Sequence, residues 1–83
     1  MLKTGMFWLN DEKGLPVEEA VIKAGEYFRK TRGEMPNCVE VNPQDNASNV
    51  EVVIFDTTSI VVLNNRAILP NHLLMGVVGN GEV

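Results

Sequence analysis

Glu51-Val52-Val53-Ile54-Phe55-Asp56-Thr57-Thr58-Ser59-Ile60-Val61-Val62-Leu63 is the stretch that decides the fold. Two β-branched runs flank Asp56-Thr57-Thr58, whose polar residues read as a hairpin turn. Neither run alternates. Val52 to Phe55 and Ile60 to Leu63 are apolar at every position, whereas a strand with one wet side alternates apolar with polar. These strands are expected to be covered on both faces.

Toward the C-terminus, Asn64-Asn65 reads as a second hairpin turn, because Asn tolerates positive φ better than most residues. Arg66 to Leu69 reads as another strand, Pro70-Asn71 as a break, and His72 to Val78 as the last strand. Residues 79–83 read as a frayed tail. Toward the N-terminus, Cys38 to Asn42 alternates as a strand, and Pro43 to Asn49 reads as a loop with room for one short helical turn. Met35-Pro36-Asn37-Cys38-Val39 resembles Leu69-Pro70-Asn71-His72-Leu73, a likeness read as two similar turns and not as a repeat.

The helix signal is the clearest in the chain. Val17, Ala20, Val21, Ala24, Tyr27 and Phe28 recur at spacings of three and four, forming one apolar stripe. Pro16 suits a helix start, Glu18 and Glu19 complement its dipole, and Arg29, Lys30 and Arg32 complement its end. Gly33 is the expected C-terminal cap, and Glu19–Lys23 and Glu26–Lys30 are expected as supporting pairs. Gly5 to Leu9 reads as a first strand, followed by a polar turn from Asn10 to Gly14.

The sum is a single α+β domain spanning 1–83, of order β-α-β-β-β-β-β. One amphipathic helix packs on a mostly antiparallel, curved sheet of five to six strands. One helix covers one face of such a sheet, so a second copy of the chain is expected on the other. Interface positions expected from this reading are Phe7, Trp8, Val53, Phe55 and Val61.

Composition narrows function mainly by exclusion. The chain has 83 residues, 45% of them hydrophobic, with one Cys and one His, so neither an internal disulfide nor a standard zinc site is available. A domain this small gains stability from a good core or from self-association. Net charge is −4, and residues 33–83 hold one basic against six acidic side chains, which disfavours nucleic acid. No run reaches the roughly 20 apolar residues of a membrane span, and Met1 to Gly5 does not open a signal peptide. A cytoplasmic setting is expected, with no metal and no cofactor.

Chemistry-bearing residues are sparse. His72 is the one side chain poised to act as a base near neutral pH, and with Cys38 it could form a nucleophile–base pair. No motif surrounds either. The basic residues Lys23, Arg29, Lys30 and Arg32 gather at a helix C-terminus, the wrong end for phosphate.

Three functions are therefore carried forward. The first is a non-catalytic binding or regulatory module acting as a homo-oligomer, engaging a protein or a small molecule. The second is a small enzyme or ligand pocket built on His72, with Cys38, Asn37, Asn42 and Asn71 near it. The third is an acidic inhibitor presenting Glu34, Glu40, Asp45, Glu51 and Asp56 to a basic protein.

Overall fold

The computed structural model describes residues 4–12 and 14–78 and is an α+β fold, one helix laid across an open, mixed, five-stranded sheet. Its elements are β1 (Thr4–Leu9), α1 (Val17–Arg32), β2 (Cys38–Val41), β3 (Val52–Phe55), β4 (Thr58–Asn64) and β5 (His72–Val77). A 3-10 turn, Pro43–Asn46, follows β2, where the sequence leaves room for one. Strand order is β1-β5-β2-β4-β3. β2 and β4 run parallel, and the other three pairs are antiparallel.

The helix forms as its pattern requires. Val17, Ala20, Val21, Ala24, Gly25 and Phe28 are buried, while Glu18, Glu19, Arg29 and Lys30 stay exposed. Gly33 ends it at φ 77°, donating its N–H to the Arg29 carbonyl at 2.9 Å. Tyr27 lies at the margin of the stripe and is exposed, not buried. Lys23 pairs with Glu12 at 2.6 Å instead of Glu19, because the preceding loop brings the Glu12 carboxylate alongside. That hydrogen bond, with Glu12, Glu19 and Glu26 all nearby, raises the Lys23 pKa.

Beneath the stripe lie Val39 and Val41 of β2, Val53 of β3, Ile60 and Val62 of β4, and Leu73 and Met75 of β5. Gly25 of α1 faces Phe55 and Ile60 here. A Cβ at that position would make an ordinary contact with the Phe55 ring at 3.5 Å. This layer is the core.

The β3–β4 hairpin turns through Asp56 (φ 49°) and Thr57 (φ 67°), both in the left-handed region that a two-residue hairpin of this hand demands. A β-branched Thr in that conformation costs on the order of 1 kcal/mol. Ion pairing of Asp56 with Arg29 at 3.1 Å ties the turn to the helix.

Arg66 to Leu69 is not a strand, which corrects the expected element order to one strand fewer. Asn65 is the reason. Its side-chain oxygen accepts the Ala67 N–H at 2.9 Å and its carbonyl accepts the Ile68 N–H at 3.1 Å, so the segment folds into turns. Asn64-Asn65 is accordingly no hairpin, and the similar stretch at Leu69–Leu73 follows turns and not a strand. Between β4 and β5 the chain passes over the end of β2, which separates the two strands in the sheet. The expected tail at 79–83 lies outside the described residues.

Directions follow from the pairing. β1, β2 and β4 point one way, and β3 and β5 the other. The connections at 10–16, 42–51 and 65–71 therefore all gather at one end of the sheet, with the start of α1. Asn37, Cys38 and the Asp56-Thr57 turn stand at the opposite end.

Candidate functional site: the helix-free face

Alternation sorts the sheet residues into two layers. Met6 and Trp8 of β1 pair across from Met75 and Leu73 and turn toward the helix. Gly5, Phe7 and Leu9 turn away, opposite Gly76, Leu74 and His72. On β2 the outward residues are Cys38 and Glu40, on β4 Ser59, Val61 and Leu63, and on β3 Val52 and Ile54.

This outward face is apolar and bare. Phe7 is 62% exposed, Ile54 63%, Leu9 54% and Val52 50%, with Val61 and Leu63 also exposed. From those exposures the six side chains present roughly 550 Å² of apolar surface, at the upper end of the largest patch on an ordinary monomer. No element of the described chain covers it.

The expected interface residues divide between the layers. Phe7 and Val61 lie on the bare face. Val53, 5% exposed, lies under α1, and Trp8 and Phe55 pack against the same core. The physical reason is register: adjacent residues such as Phe7 and Trp8 must face opposite ways, and the pairing with β5 fixes which one turns inward. Leu9, Val52, Ile54 and Leu63, not singled out from sequence, complete the exposed set. The doubly apolar runs of β3 and β4 were the signal for three of them.

One carboxylate interrupts this surface. Glu40 stands on β2 between Leu63 of β4 and Leu74 of β5, and its Oε1 accepts the Asn65 Nδ2–H at 2.6 Å. Two residues before it, Cys38 sits between Gly76 and Val61. Burial, and secondarily the Glu40 charge, push the Cys38 pKa up, so the thiol holds its proton and is a poor nucleophile at neutral pH.

His72 and Cys38 are not brought together. Cys38 pairs across from Gly76, four residues along β5 from His72, a separation of roughly 13 Å at strand rise. Asn37 belongs to the Cys38 end, where its side chain exchanges two hydrogen bonds with the Val78 backbone. His72, Asn71 and Asn42 share the other end.

There the asparagines pin loops. Asn42 donates to the Ile68 carbonyl at 2.8 Å and accepts from the Gln44 N–H at 2.8 Å, starting the 3-10 turn. Asn71, at φ 65°, donates its backbone N–H to Asp45 and accepts the Asn10 N–H at 2.7 Å. Asn46 is buried and fully bonded. No sequence signal distinguishes an asparagine that closes a loop from one that holds a ligand.

A cavity of about 370 Å³ opens at this end. Leu15, Val41 and Leu73 line it, with Asp45, Asn71 and His72 among its polar residues. The His72 Nδ1 lies 2.9 Å from the Pro70 carbonyl. A carbonyl only accepts, so Nδ1 carries the proton, and Nε2 is the lone-pair nitrogen of the neutral ring.

The acidic residues form no single face. Asp45 follows the C-terminal end of β2, Asp56 occupies the hairpin at the opposite end, and Glu40 lies between them on the sheet. Among the described residues, no three His, Cys, Asp or Glu side chains cluster as a metal site. No helix among them is long and apolar enough to cross a membrane. Comparison of the chain with protein-family models, curated proteins and solved structures finds no match.

Proposed function

We propose that this chain is a non-catalytic binding or regulatory module that works in self-associated form, with a second copy covering the helix-free face of the sheet. The single observation behind this reading is the bare apolar layer opposite α1. Two such faces in contact would remove roughly 1,100 Å² of apolar surface, close to the lower bound of a specific interface. Sheet faces of Val, Ile, Leu and Phe pack well on one another as stacked layers about 10 Å apart. A charged partner finds little here to recognise, since Glu40 is the one charged residue between Phe7 on one edge strand and Ile54 on the other. An unpaired thiol, Cys38, suits a cytoplasmic setting.

Sedimentation velocity across micromolar concentrations tests the reading. Val61→Lys places an ammonium on an exposed position of the face, so the fold is expected to survive. Burying that charge against a second copy is expected to weaken association at least ~100-fold. A wild-type chain that sediments as a clean monomer at micromolar concentration throughout pH 5.5 to 8, with Glu40→Gln also monomeric, would remove the proposal.

The cavity beside His72 favours a second reading, a pocket for a small ligand with polar groups for Asp45 and Asn71 and an apolar body for Leu15, Val41 and Leu73, His72 standing at its margin. Its size lies within the range of ligand sites. Screening a fragment library by NMR is expected to shift the Asn71 and His72 backbone amides together with the Leu15 methyls. Shifts confined to other residues would dismiss this pocket.

A further inference from the structure

Glu40 is the one carboxylate among the described residues set in the middle of the bare face, and its neighbours across the flanking strands are apolar. Leu63 and Leu74 are its lateral neighbours across β4 and β5. On β1 the outward positions are Gly5, Phe7 and Leu9, and on β3 they are Val52 and Ile54, all uncharged. The other titratable groups turned to this face are Cys38 on the same strand and His72 at the start of β5. Arg66 stands beyond the end of β4. Among the described residues, no lysine or arginine belongs to the outward layer.

Among the described residues, the one hydrogen-bond partner of the Glu40 side chain is the neutral amide of Asn65. An amide N–H steadies the carboxylate while water reaches it, but supplies no counter-charge once water leaves. A face-to-face copy would bring a second Glu40 into the same dry layer. Two ionised carboxylates without cations are strongly disfavoured there by desolvation and by mutual repulsion. A neutral carboxylic acid is far less costly and keeps its carbonyl oxygen for Asn65.

We propose that Glu40 makes association through the helix-free face proton-dependent: each copy takes one proton from solvent onto this carboxylate as the face is covered, so assembly tightens in acid. The inference rests on the self-association proposed above. By linkage, the association constant rises up to about tenfold per pH unit for each proton taken up, wherever the free chain is still ionised. His72 works in the opposite direction, because charging the imidazole in acid burdens the same face.

Sedimentation equilibrium between pH 5.5 and 8 tests this with wild type, Glu40→Gln, Glu34→Gln and His72→Gln, each checked for an unchanged circular dichroism spectrum. Gln is neutral and can still accept the Asn65 N–H. Glu40→Gln is expected to associate at pH 8 at least tenfold more tightly than wild type, with a nearly flat pH profile. Glu34→Gln removes an exposed carboxylate from outside the sheet and is expected to keep the wild-type profile, whereas His72→Gln removes the opposing charge and is expected to keep or steepen the rise in acid. A wild type that associates equally at all pH values overturns the inference. So does a Glu40→Gln chain that associates more weakly, which would mean Glu40 pairs with a cation, or a profile lost in His72→Gln. If neither wild type nor Glu40→Gln associates at any pH, the self-association reading itself has failed, and this inference with it.

Discussion

Truncating Phe28 to alanine is expected to destabilise the domain by about 3–5 kcal/mol, the usual cost of emptying a buried aromatic site. Phe28 is fully buried at the end of the α1 stripe, with Val21 and Ala24 of the same helix and Met75 of β5 in one core. Backbone fixed in helix and strand on both sides leaves little freedom for collapse. A domain of this length is typically stable by about 4–12 kcal/mol, so the variant would approach the unfolding threshold. Phe7→Ala supplies the contrast. The same residue type on the bare face is expected to change the stability of the dissociated chain by under ~0.5 kcal/mol. Urea denaturation at submicromolar concentration checks both, and equal losses would mean that the two layers have been wrongly assigned.

Asn46→Ala is expected to cost about 2–4 kcal/mol, a large effect for one polar side chain. Asn46 is 4% exposed and makes three hydrogen bonds. Its carbonyl oxygen accepts the Val50 N–H at 2.8 Å, and its amide donates to the Val50 carbonyl at 2.9 Å and to Asn64 Oδ1 at 3.0 Å. Removing it strands three partly buried groups at once, and unsatisfied groups cost more than the net worth of the bonds. Asn46→Asp sharpens the test. An ionised carboxylate cannot donate, so it would face the Val50 and Asn64 oxygens in repulsion and is expected to be worse than alanine at neutral pH. Thermal melts of the two variants check the order, and an Asp variant as stable as wild type would show that the amide donates to neither oxygen.

Why the sequence disclosed some of this and hid the rest can be traced to particular residues. The helix was legible from Pro16 to Gly33 because its periodicity and end signals are local. The Asp56-Thr57 hairpin and the uninterrupted apolar runs around it were legible for the same reason, and they pointed to a sheet apolar on both sides. Strand order was not legible. Asn64-Asn65 carries the composition of a hairpin turn, and only the placement of β2 between β4 and β5 shows that the chain crosses over instead. Interface residues were half legible, since a doubly apolar strand gives no hint of its own phase. The asparagines read as ligand groups from sequence, yet their bonds are spent on neighbouring loops.

The central position of β5 bears on biosynthesis. β5, the last of the described strands in chain order, fills the slot between β1 and β2, contributing a partner to each. Until residues up to about 77 have left the ribosome, β1 has no neighbour and the sheet cannot close over its middle. The sheet cannot mature segment by segment as the chain emerges; it must wait, greasy strands exposed, for β5. Premature termination after Asn71 would thus yield an incomplete sheet split at its centre, a natural client for chaperones and proteases.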